Sequence, residues 1–175
     1  GEADRKTGTE RLALLEQAAG RFASARAHTA AAVERTRDPG LLDLADALDR
    51  IHAFWHGEFA PVPLPPPERD ADPASLLRLV AAAQHASALD AVQGSTWSDV
   101  EGLLDRIAHA ADEWLRGARG VGALIEGMPA AAQALLCAFN SPRSSWAISF
   151  LERLRRAVDR YGLVAWRPWL DGVRG

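Results

Sequence analysis

The sequence predicts an all-α protein, a helical bundle of five or six mostly antiparallel helices with a proline-rich linker after the second. Three observations carry this expectation. The aliphatic content is dominated by Ala and Leu rather than by β-branched residues, and Tyr occurs once; Ala and Leu lose little entropy in a helix. Apolar residues recur at the three-and-four spacing of one helix face. A capping residue followed by proline stands at Asp38-Pro39, Asp72-Pro73 and Ser141-Pro142. That pair satisfies an orphan N–H at a helix start and places proline where its missing donor costs nothing.

The elements follow in order. A first helix is expected from about Thr9 to Arg35, opened by a capping box at Thr7 and Glu10, with Leu12, Leu15, Ala19, Phe22, Thr29 and Val33 near one face. A second starts at Asp38-Pro39, carries Leu41, Leu44, Leu48, Ile51 and Trp55 as its buried stripe, and runs to about Phe59. From Ala60 to Asp72, five prolines favour an extended polyproline spacer. A third helix starts at Asp72-Pro73, buries Leu76, Leu77, Val80, Ala83 and Leu89, and stops before Gly94. A fourth follows a cap at Ser95, Thr96 or Ser98 and buries Val100, Leu103, Ile107, Ala111 and Trp114, until Gly117, Gly120 and Gly122 break it. A short fifth helix is placed from Pro129 to Phe139. The sixth opens at Ser141-Pro142, carries Trp146, Phe150, Leu154, Val158 and Tyr161, and ends at Gly162. Leu163 to Leu170 reads as an extended strap or as the start of a further segment.

The 175 residues suffice for a single domain with a sizeable core. The expected organisation is one domain over 1–175, with hairpin subunits at 9–59 and 72–116 and a C-terminal helix at 142–161. The polar first residues and the stop just after an apolar stretch suggest a piece of a longer protein. Asp43 to Ile51 lies over Asp99 to Ile107 without a gap, as a duplicated hairpin or as convergent amphipathic helices. Either origin predicts Leu and Ile inside, Asp and Arg outside.

Net charge is −3, which gives no global attraction to nucleic acid or anionic lipid. The distribution is uneven: residues 1–139 carry 13 basic and 20 acidic side chains, residues 140–175 carry 7 and 3. Nineteen of the twenty basic residues are Arg, a bias expected of a GC-rich bacterial genome. The single Cys137 sits in an apolar run and reads as a packing residue. One cysteine and no visible secretory signal or membrane span point to a cytoplasmic protein.

His52 and His56, at i and i+4 of the second helix, are half of a helical metal site; a third ligand would come from Glu58, His28, His85 or His109. Their ordinary role is a half-exposed pair on a solvated face. Arg21 to His28 and Arg78 to His85 resemble the spacing of HEPN-type helical ribonucleases, which would imply an Arg-His active site. The Gly117, Gly120, Gly122 cluster lacks the preceding strand of a phosphate loop and reads as a turn. No sequence feature demands a cofactor. Arg143, Arg153, Arg156 and Arg160 give the last helix a basic side, suited to docking on acidic residues earlier in the chain or on an acidic partner. Trp166 and Trp169 flank Pro168 outside any clear helix and are the expected aromatic anchors for a protein partner.

Gly40 to Arg50 is similar to the segment in GrpE-type exchange factors where the coiled coil enters the helical bundle, and Leu154 to Leu163 resembles the end of that family's next helical part. The resemblance spans about twenty residues and implies a cofactor of a DnaK-type chaperone. From the residues alone, the leading expectation is a non-enzymatic interaction or adaptor module, with Trp166, Trp169, Arg153, Arg156 and Arg160 as partner-binding residues. The alternatives are the GrpE-like cofactor and a metal- or ligand-binding bundle built on His52 and His56.

Overall fold

The computed structural model describes residues 8, 12, 13, 16, 21–57, 64–65, 72–94 and 97–172. It is all-α, a bundle of packed helices with no strand among the described residues. The helices are α1 (Phe22–Thr36), α2 (Pro39–His56), α3 (Pro73–Gln93), α4 (Trp97–Gly117), α5 (Val121–Phe139) and α6 (Ser144–Arg160), then a 3₁₀ turn (Val164–Trp166) and the short α7 (Arg167–Gly172).

Two of the three cap-plus-proline signals open helices as expected. Asp38 Oδ1 accepts the N–H groups of Gly40 and Leu41 at 2.9 and 3.3 Å. Asp72 Oδ1 accepts that of Ala74 at 3.0 Å. The third signal is spent differently. Ser144 N–H donates to Ser141 O at 3.2 Å, and Arg143 has φ −94 and ψ 18. Pro142 therefore occupies the second position of a type I turn, and α6 begins after it. Gly162, at φ 67, ends α6 in the left-handed conformation that a side chain disfavours.

Three other expectations are corrected. The first helix is not continuous from Thr9 to Arg35: Arg21 leaves helical geometry at φ −89 and ψ 59, and its N–H closes back on Glu16 O at 2.8 Å. That six-residue closure is how helices commonly end. The fifth helix starts eight residues before Pro129, at Val121, with Pro129 in its interior. Burial of Leu124, Gly127 and Met128 holds a first half that glycine and proline would leave weak in isolation. Leu163 to Leu170 is not an extended strap. It folds back as a 3₁₀ turn and α7, and Leu170 is wholly buried. The capping box at Thr7, the Trp55 stripe position, the caps at Ser95 and Thr96 and most of the proline spacer lie outside the described residues. Pro65 of that spacer is buried, and its carbonyl accepts from Arg106 Nη1 at 2.7 Å.

The expected stripes on α2, α4 and α6 face the core: Leu41, Leu44, Leu48 and Ile51; Val100, Leu103, Ile107, Ala111 and Trp114; Phe150, Leu154 and Val158. Helix α3 behaves differently. Every residue from Ala74 to Ala83 is buried, because α2, α4 and α5 all pack against it. A helix enclosed on all sides needs apolar or small residues around its whole circumference, and this one has them. One core cluster draws on residues from Ala13 to Leu170.

The exceptions inside α3 are polar. Arg78 Nη1 reaches Asp43 Oδ1 of α2 at 2.6 Å, and Ser75 Oγ reaches Asp43 Oδ2 at 2.7 Å. This overturns the burial expected of the nine-residue repeat. In the second copy Asp99 is exposed, but in the first Asp43 is 6% exposed and Arg50 is equally buried beside Asp46. The two segments share a pattern but not a neighbour: α3 presents Ser75 and Arg78 to α2, so the acid there turns inward.

By length and composition α5 is apolar enough to cross a membrane. Its residues Leu124, Met128, Ala131, Leu135 and Ala138 are taken up by the core, as a core helix of the same composition would be.

Candidate functional site

Arg143, just before α6, and the arginines of α6 form two sets that share Arg153, while Arg155 turns to the C-terminal tail. The first docks on α4. Arg143 Nη2 lies 2.5 Å from Asp105, and Arg153 Nη2 lies 2.6 Å from Asp112 Oδ1. Asp112 also accepts the indole N–H of Trp146 at 3.2 Å, and the Arg153 guanidinium sits 5.5 Å over the Phe150 ring. These contacts fix the angle at which α6 lies along α4.

The second set turns toward a cavity of about 320 Å³ at the far end of that interface. Arg153, Arg156 and Arg160 step by three and four along α6 and so share one face. Opposite them, Arg116 from the last turn of α4 and Arg119 from the following loop complete the lining. Leu115 and Leu124 contribute apolar surface. Tyr161 closes the rim: its hydroxyl accepts the N–H of Gly120 at 3.2 Å, leaving the phenolic hydrogen free to donate.

Five guanidinium groups line the cavity, and among the described residues two of them pair with carboxylates, Asp112 and Glu152. Asp112 is held by Arg153, and Glu152 lies a loose 3.9 Å from Arg156. The other three, Arg116, Arg119 and Arg160, make no ion pair among the described residues. Helix ends account for part of this charge, because a cation in the last turn complements the free carbonyls: Arg116 Nε donates to Asp112 O at 3.2 Å. Arg160 has the same place at the end of α6, and neither it nor Arg119 makes an ion pair among the described residues. Both are exposed. Like charges clustered in one concavity repel one another, so an anion lodged there would lower the energy of the whole set.

No protein-family model, curated protein or solved structure matches the chain.

His52 and His56 stack with ring centroids 3.9 Å apart, and His56 Nδ1 is bonded to the His52 carbonyl at 2.9 Å. Among the described residues no group of three metal-binding side chains gathers there or elsewhere. Of the Arg-His pairs, Arg78 and His85 are both enclosed and Arg78 is committed to Asp43. His28 is half-exposed, 3.7 Å from Glu16. The two GrpE-like segments fall on α2 and on the end of α6. Trp166 and Trp169 meet edge to face at 6.2 Å, and both are half-buried against the core. Their packing orients the tail; Arg155 secures it through Leu170 O and Asp171 at 3.2 and 2.8 Å.

A second concavity, about 690 Å³, opens between the start of α4 and the end of α5, with α3 as its floor. Its lining carries no charged side chain, and Trp97 and Leu136 are 45% and 44% exposed. Cys137 lies on its wall, where burial pushes the thiol up to about 11. The thiolate is the reactive form. A rise from 9.0 to about 11 removes it roughly a hundredfold at pH 8. Iodoacetamide at pH 8 is therefore expected to label the urea-unfolded chain far faster than the native protein; equal rates in the two states would contradict this account of Cys137.

The arginines of α6 were readable from their spacing. Arg116 and Arg119 were missed, because they reach the cavity from another helix and a loop. The signal was present in Arg116-Gly117-Ala118-Arg119-Gly120, two cations where an amphipathic helix gives way to an apolar one.

Proposed function

We propose that this domain is a non-enzymatic interaction module that holds an anionic group of a protein partner in the arginine-lined cavity between α4 and α6. The observation that carries this reading is the gathering of guanidinium groups in one concavity, with no ion pair at Arg119 or Arg160 among the described residues. Guanidinium forks match oxyanions in geometry as well as charge. The Arg153–Asp112 contact ties one of the lining side chains to α4. The tryptophan pair supports the reading at second hand, by orienting the tail that lies on α6.

The test is capture from source lysate, with the wild-type domain and an Arg119→Glu, Arg160→Glu variant as parallel baits. Both positions are exposed, so the variant is expected to keep its helicity, with at most a small drop in melting temperature from the charge reversed at the end of α6. Proteins retained by the wild type should be lost with the variant, and should also elute with modest salt, as screened charge contacts do. Identical capture by both baits would remove the cavity from the account.

A further inference from the structure

We infer that the anion held in this cavity is a phosphate monoester rather than a cluster of carboxylates. The inference rests on the reading that the cavity takes an anion, and adds the chemistry of that anion.

Size, charge and direction support it together. At about 320 Å³ the cavity lies near the lower limit for ligand sites. It suits one compact group more than several acidic side chains with their stems. Three lining arginines without an ion pair among the described residues call for a group that concentrates negative charge. A phosphate monoester carries close to two charges near neutral pH on three acceptor oxygens, whereas a carboxylate carries one on two. The donors also arrive from more than one side: Arg116 and Arg119 from α4 and its loop, Arg156 and Arg160 from α6, and the Tyr161 hydroxyl at the rim. A carboxylate is planar and is served by one fork. A tetrahedral oxyanion offers acceptors in several directions and engages both walls at once.

The source of the phosphate is either a phosphorylated side chain of a partner or a free phosphate ester, and four probes separate them. The 175-residue protein is titrated by calorimetry with a short phosphoseryl peptide, the same peptide with Glu in place of phosphoserine, a sugar phosphate and inorganic phosphate. The expected result is binding of the phosphoseryl peptide at least tenfold tighter than its Glu counterpart. That preference should disappear in an Arg119→Gln, Arg160→Gln variant whose circular dichroism and melting temperature are unchanged. Tight binding of the sugar phosphate without the peptide would uphold the phosphate and replace the protein partner with a small molecule. Equal affinity for the phosphoseryl and Glu peptides would overturn the phosphate inference while leaving the anionic module in place. No binding by any of the four would overturn both.

Discussion

Replacing Asp43 by alanine is expected to lower the unfolding free energy by about 3–5 kcal/mol, the range for breaking a buried ion pair from one side. Asp43 and Arg78 are each 6% exposed, and Ser75 is fully buried. The substitution takes the carboxylate from a guanidinium 2.6 Å away and from a hydroxyl 2.7 Å away. The cost lies mainly in the charge left behind, since little water reaches Arg78 to replace what it loses. A paired replacement of similar volume, Asp43→Leu with Arg78→Met, is therefore expected to regain most of the loss, because apolar residues at such a site often match or exceed the ion pair they replace. Urea denaturation of the two variants checks both statements. A single variant within about 1 kcal/mol of wild type would mean that the pair is not held as described.

Gly127→Ala is expected to destabilise by about 1–3 kcal/mol despite alanine's better helix propensity. A Cβ at this position would overlap the indole ring of Trp114, which is itself buried between α4 and α5. Either the ring leaves its place or α5 moves off α4. Gly102 supplies the control. It lies in the interior of α4 with nothing within 4 Å of its Cβ position. Gly102→Ala is thus expected to stabilise, by up to about 1 kcal/mol. Opposite signs at two helical glycines would isolate the packing contact from propensity. A stabilised Gly127→Ala would show that the ring yields without cost.

Amphipathic helices were the part of this fold most visible in the sequence. Leu44, Leu48 and Ile51 on α2, or Phe150, Leu154 and Val158 on α6, declare an inside and an outside, and the periodic pattern recovers them. Helix α3 hid its position for the opposite reason. It is apolar around its circumference, so no face stands out, and the run Leu76-Leu77-Arg78-Leu79-Val80 reads as one stripe when it is several. Asp43 was misplaced because an acidic side chain defaults to solvent, and only the neighbour, α3, gives it a reason to turn inward. The first half of α5 was lost to local rules about glycine and proline that tertiary packing overrode. At the candidate site, spacing within one helix brought Arg153, Arg156 and Arg160 together, while spacing could not report that Arg116 and Arg119 face them across a gap of more than thirty residues.

The enclosure of α3 also bears on the order in which the chain can reach its native state. During synthesis the N-terminal parts emerge first. When α3 has left the ribosome, only α2 and the residues before it are present to cover one of its sides. The other sides wait for α4, and then for α5, which ends at Phe139. Until those helices arrive, the sides of α3 that they cover have no partner from its own chain. The Asp43–Arg78 contact joins elements already present at that stage, and so could hold α2 and α3 in register while the remainder is made.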